Sequence, residues 1–120
     1  MKEEKIMPFI NSKVSVPMTG AQKESVKQKL GKAISIIPGK SERWLMLEFA
    51  DNCDLYFSGD NSKPTAMIEV KVFGSIPDSC LDEMTRSVCD IYEEELRIPK
   101  DRIYVKYEGC DKWGWNGGNF

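Results

Sequence analysis

A short passage occurs twice in this chain. "IIPGKSERWLMLE" (36–48) is echoed by "LRIPKDRIYVKYE" (96–108): a helix end, Ile-Pro, an acid-arginine pair, then a strand ending in glutamate. What precedes each copy also repeats. "PFINSKVSV" (8–16) alternates and is rich in β-branched residues, as a strand should be. Thr19 with Gln22 three residues on is a capping-box signature. Val26, Leu30, Ala33, Ile34 and Ile37 then recur at helical spacing, and "WLMLEF" (44–49) reads as a strand. In the second half "TAMIEVKVF" (65–73) alternates, with Ile68, Val70 and Val72 on one face. Gly74, Ser75 and Pro77 introduce a helix with Leu81, Met84, Val88, Ile91 and Leu96 on one stripe, and a strand follows at 102–108.

The order is βαβ, then βαβ again. Within each unit a parallel strand pair requires a crossover, and the crossover helix is right-handed. The expected fold is therefore α/β (α+β): duplicated βαβ units making a four-stranded mixed sheet with two helices on one face. The other face is left bare, and its apolar residues call for an oligomer.

Composition narrows the function. The 120 residues suit one domain, and with 41% hydrophobic and 30% charged residues they are globular in character. A net charge of -2 and a pI near 5.2 provide no basic field for nucleic acid. The third strand also lacks the aromatic pattern of an RNA-recognition sheet. No apolar run approaches the ~20 residues of a membrane span, and the first ten residues have no apolar signal core. There is no histidine, which removes Ser-His-Asp and Cys-His catalysis and most zinc sites. Cys53, Cys80, Cys89 and Cys110 have neither CxxC nor ligand spacing and are expected as reduced thiols. No metal or cofactor is expected.

Three further stretches carry a resemblance: "MPFINSKVSVP" at the start, "DRIYVKY" near the end, and the tail "WGWNGGNF". Together, from Pro8 to Phe120, they resemble the macrophage migration inhibitory factor family of the tautomerase superfamily, in a bacterial or microbial form. The resemblance implies one domain over 8–120, a homotrimer whose three sheets wrap into a barrel, and active sites at subunit interfaces. It also implies keto-enol tautomerisation of phenylpyruvate-like acids.

By that resemblance Pro8 is the catalytic base, its alternative being a strand-initiating proline. A free α-amine has a pKa of roughly 7.7–8.0, and burial or a nearby cation lowers it. Lys40 matches the family's substrate-binding lysine; otherwise it is a charge complementing a helix C-terminus. Tyr104 matches the tyrosine that reaches a neighbouring subunit's pocket, or is a plain sheet-face aromatic. Lys106 stands where mammalian members have asparagine, and either tightens carboxylate binding or points to solvent. Phe73 stands where the family commonly has an isoleucine whose backbone amide faces the substrate. Trp113, Trp115 and Phe120 form the pocket wall by resemblance, or pack at the trimer interface. "TAMI" replaces the mammalian third-strand CxxC, so thiol-disulfide activity is not expected.

The base must be N-terminal, which directs attention to "MKEEKIMPF". Met7 is expected to be the working start and to be removed, with residues 1–6 an untranslated leader read in frame. Lys-Glu-Glu can be written AAG-GAG-GAA, which contains a bacterial ribosome-binding sequence. The alternative is a genuine extension over 1–7 that blocks Pro8 and leaves a binding or cytokine-type protein. A ferredoxin-like regulatory module is the third class. The expected location is the cytoplasm, with export lacking a signal peptide as the alternative. Nothing in the sequence supports receptor binding.

Overall fold

A computed structural model describes residues 7–119. Its elements are β1 (Pro8–Val14), α1 (Gly20–Ala33), β2 (Met46–Ala50), β3 (Ala66–Phe73), α2 (Leu81–Leu96), β4 (Ile103–Cys110), and a terminal hairpin of β5 (Gly114–Trp115) and β6 (Gly118–Asn119). The four long strands lie in the order β2-β1-β3-β4. β1 runs parallel to β2 with Ile10 opposite Leu47, and β3 parallel to β4 with Ile68 opposite Val105. The two units meet antiparallel, Ile10 opposite Val70. This is the duplicated βαβ mixed sheet that the sequence implies.

One sheet face carries the helices. Ile10 and Val14 of β1 and Ile68, Val70 and Val72 of β3 are fully buried against Val26 and Leu30 of α1 and Met84, Val88 and Tyr92 of α2. Each such aliphatic side chain contributes roughly 1.5–3 kcal/mol through burial. Tyr92 brings a phenol into this core, and its hydroxyl pairs with that of Ser12, so no buried polar group is orphaned there. Helix α1 begins with the anticipated capping box: Gln22 N–H donates to Thr19 Oγ1 (3.1 Å), and Thr19 N–H donates to Gln22 Oε1 (2.9 Å).

Three strand limits differ from the expectation. β1 stops at Val14 because the chain then bonds to loops: Ser15 N–H to the Thr65 carbonyl (3.0 Å) and Asn52 N–H to the Val16 carbonyl (3.1 Å). Trp44 belongs to a 3₁₀ turn (Glu42–Trp44), not to the strand, which begins at Met46. β4 continues to Cys110.

The bare face also differs. Phe9, Met46, Met67, Phe73 and Tyr104 lie on it, but so do Lys13, Glu48, Glu69, Lys71, Lys106 and Glu108. At its centre Asn11 Nδ2 donates to Glu69 Oε1 (2.7 Å), while Lys71 and Lys106 each approach the Glu69 carboxylate at 3.8 Å. It is a mixed, partly ion-paired surface rather than an apolar one.

The loop before β3 is fastened by Arg102, which is only 8% exposed. Its Nε donates to Thr65 Oγ1 (2.9 Å) and the Pro64 carbonyl (3.2 Å), and its Nη2 to the carbonyls of Asp60 (2.9 Å) and Lys63 (3.4 Å). The guanidinium also lies 5.3 Å from the Phe57 ring centre.

Candidate active site

Pro8 opens β1 at the rim of the sheet, where the start of β2 and the terminal hairpin converge. The hairpin turns on Asn116 and Gly117, both at positive φ (54° and 80°). A two-residue Asn-Gly turn matches the twist of paired strands and so folds the tail back. A cleft of about 500 Å³ results, lined by Met7, Pro8, Phe9, Arg43, Trp44, Leu45, Met46, Trp113, Gly114 and Trp115. Trp44 and Trp115 meet edge to face, ring centres 5.2 Å apart at 87°. The Arg43 guanidinium lies over the Trp44 ring at 5.1 Å.

A larger open groove, about 790 Å³, lies beyond the ends of β3 and β4. It gathers Asp78 and Asp111 and no cation, which is the wrong sign for a carboxylate ligand. The Pro8 cleft combines aromatic walls, a cation and the residue that would supply the base.

Two anticipated residues lie behind the cleft. Lys40 is 6% exposed, and its Nζ donates to the Phe73 carbonyl (3.3 Å). Burial pushes its ammonium pKa down. Phe73 N–H donates to the Met7 carbonyl (3.1 Å). Both main-chain groups of Phe73 are therefore engaged, one by Lys40 and one by the residue that acylates Pro8. Met7 is itself buried, 5% exposed.

Tyr104 and Lys106 are not in this cleft. They lie on β4, opposite Met67 and Glu69 of β3, whose own partners on β1 are Lys13 and Asn11 rather than Pro8. Tyr104 is 63% exposed and meets Phe57 edge to face at 5.4 Å. Thus one chain brings Pro8, Trp113 and Trp115 together, places Lys40 and Phe73 next to them, and leaves Tyr104 and Lys106 apart. Phe120 lies outside the described residues.

Residues 7–120 match the family described as Macrophage migration inhibitory factor (MIF). The chain belongs to that family. The Leishmania major MIF2 crystal structure superposes with a TM-score of 0.88 at 32% identity, covering 95% of this chain and 97% of that one. A macrophage migration inhibitory factor homologue from Prochlorococcus marinus gives 0.75 at 33% identity, over 93% and 98% of the two chains. The Mus musculus protein of that name is 24% identical over 116 residues, 95% of this chain and 99% of its own length.

Within this MIF-like frame, sequence reasoning missed Met7, Phe9, Arg43, Trp44, Leu45, Met46 and Gly114 as cleft residues. The repeat held a signal for two of them. Glu42-Arg43 corresponds to Asp101-Arg102, so a turn rather than a strand was to be expected at Trp44.

Proposed function

We propose that the chain beginning at Pro8 is a keto-enol tautomerase of phenylpyruvate-like α-keto acids. The base would be the Pro8 secondary amine. It takes a proton from the carbon beside the keto group, and the carbonyl oxygen gains one, giving the enol; the reverse steps restore the keto form. The supporting observation is that a single residue, Met7, blocks both the amine and the Phe73 amide. Its carbonyl carbon acylates the Pro8 nitrogen, and its oxygen accepts from Phe73 N–H. Removing residues 1–7 frees a base and a hydrogen-bond donor together, beside an aromatic cleft. Burial of Pro8 and the nearby Lys40 cation both favour the unprotonated amine at neutral pH.

The same observation favours a second reading for the full chain. With Pro8 acylated, the protein has no such base and is a non-catalytic, MIF-like binding or cytokine-type protein. The form that starts at Pro8 retains every strand, both helices and all the buried apolar core except Met7. The two forms are therefore fairly compared. General-base catalysis contributes typically 10²–10⁴-fold, so the Pro8 form should tautomerise phenylpyruvate at least ~100-fold faster than the full chain. Equal rates, with the extension shown intact by mass, would exclude the Pro8 mechanism. In the homotrimer that family membership suggests, Tyr104 and Lys106 of one subunit would reach the cleft of the next.

A further inference from the structure

The two halves of the repeat put an arginine at the same place, after an acid in the 3₁₀ turn that leads into a parallel strand: Arg43 before β2 and Arg102 before β4. Their fates differ. Arg102 is buried and directs its N–H groups to loop carbonyls and a threonine hydroxyl. Arg43 is exposed, lines the Pro8 cleft, and pairs with no carboxylate among the described residues. Its neighbour Glu42 turns instead onto α1, where a Cβ on Gly31 would collide with the Glu42 carboxyl group.

Arg43 uses its flat face on Trp44, which fixes the plane of the guanidinium. Such stacking leaves the N–H edges available, and that fork matches the two oxygens of a carboxylate. Lys40, by contrast, is buried behind the cleft and already donates to the Phe73 carbonyl. We propose that Arg43, not Lys40, anchors the ligand carboxylate in the Pro8 cleft, and that the site selects aromatic carboxylates whose ring lies among Trp44, Trp113 and Trp115. Lys40 then acts as a positioning residue for the end of β3. This rests on the reading that the Pro8 cleft is the ligand site.

All three tryptophans of the chain line this cleft, so intrinsic fluorescence reports its occupancy directly. The test titrates the form beginning at Pro8 with 3-phenylpropanoate and with the uncharged 3-phenylpropanamide. A desolvated bidentate ion pair corresponds to roughly 10–100-fold in affinity. The acid should bind the parent protein at least ~10-fold tighter than the amide. Arg43→Gln should abolish that preference while leaving amide binding unchanged, Arg43→Lys should restore part of it, and Lys40→Met should retain it. A preference that survives Arg43→Gln, one that disappears in Lys40→Met, or none in the parent protein overturns the proposal. Binding is read without turnover. A Pro8 form that holds the acid through Arg43 but tautomerises no α-keto acid therefore defeats the catalytic reading and upholds this one.

Discussion

Replacing Arg102 with alanine should cost far more stability than replacing Arg43 with alanine, although the two occupy equivalent turns. Arg102 makes two short bonds of 2.9 Å, to Thr65 Oγ1 and the Asp60 carbonyl, and two longer ones to Pro64 and Lys63. Hydrogen bonds to a charged donor contribute about 1.5–3 kcal/mol each. Counting only the two short ones at the low end gives about 3 kcal/mol, and the Phe57 contact adds about 0.5–1 kcal/mol. Unfolding entropy is about 2.1 cal/mol/K per residue near 60 °C, or about 250 cal/mol/K for this chain, so each kcal/mol is worth about 4 °C. Arg102→Ala should lower Tm by roughly 12–16 °C. Arg43→Ala, which removes an exposed side chain stacked on one ring, should stay within about 0.5 kcal/mol, or ~2 °C. Calorimetry at one fixed protein concentration is the assay, since oligomer dissociation makes Tm concentration-dependent. Equal losses in the two variants would show that Arg43 is also a structural fastener, and would remove the asymmetry on which its assignment to a ligand depends.

Two further outcomes are expected. The Glu69 carboxyl pKa is lowered, first by the Asn11 amide and then by Lys71, Lys106 and Lys13. A depressed folded-state pKa means that the unfolded chain binds the proton first on acidification, so this stabilisation is present above about pH 4.5 and is lost as the pH falls through the folded value. Urea midpoints of Glu69→Gln should accordingly vary less between pH 5 and pH 3 than those of the parent protein; an unchanged slope would show that the Asn11 contact does not hold in solution. Sedimentation at micromolar concentration should give about 41 kDa from subunits of 13.7 kDa; a monomer would leave Tyr104 and Lys106 with no cleft to reach.

Much of the fold was legible because two periodicities and one repeat agreed. The alternation of Ile68, Val70 and Val72 and the helical stripe Met84, Val88 and Ile91 each describe a buried face, and burial fixes which way a strand or helix turns. The character of the opposite face was misread. Periodicity separates faces but does not say that six of the residues on the outer one are charged and partly paired. The tail was misread for a different reason. Asn116-Gly117 is a strong turn signal, but with two-residue strands on either side there is no alternation to accompany it. Pro8, Trp113 and Trp115 were found through resemblance. Arg43 and Trp44 were not, because within a single strand assignment they look like the start of β2, and only the turn geometry aims them at the cleft.

The repeat also explains where function resides on this scaffold. Duplication supplies two equivalent turn arginines and two equivalent strand entrances, and a symmetric structure would use both alike. In the second half, the loop 51–64 lies within reach of Arg102 and consumes its donors, so that entrance is closed by hydrogen bonds. In the first half, the partner is the C-terminal hairpin, which brings Trp115 against Trp44 but no carbonyl onto Arg43 among the described contacts. A stacked cation without an internal acceptor retains its capacity for an external anion. The difference between the halves is thus a difference in what covers each turn: a loop that satisfies one arginine, and an aromatic flap that orients the other and leaves its donors available for a ligand.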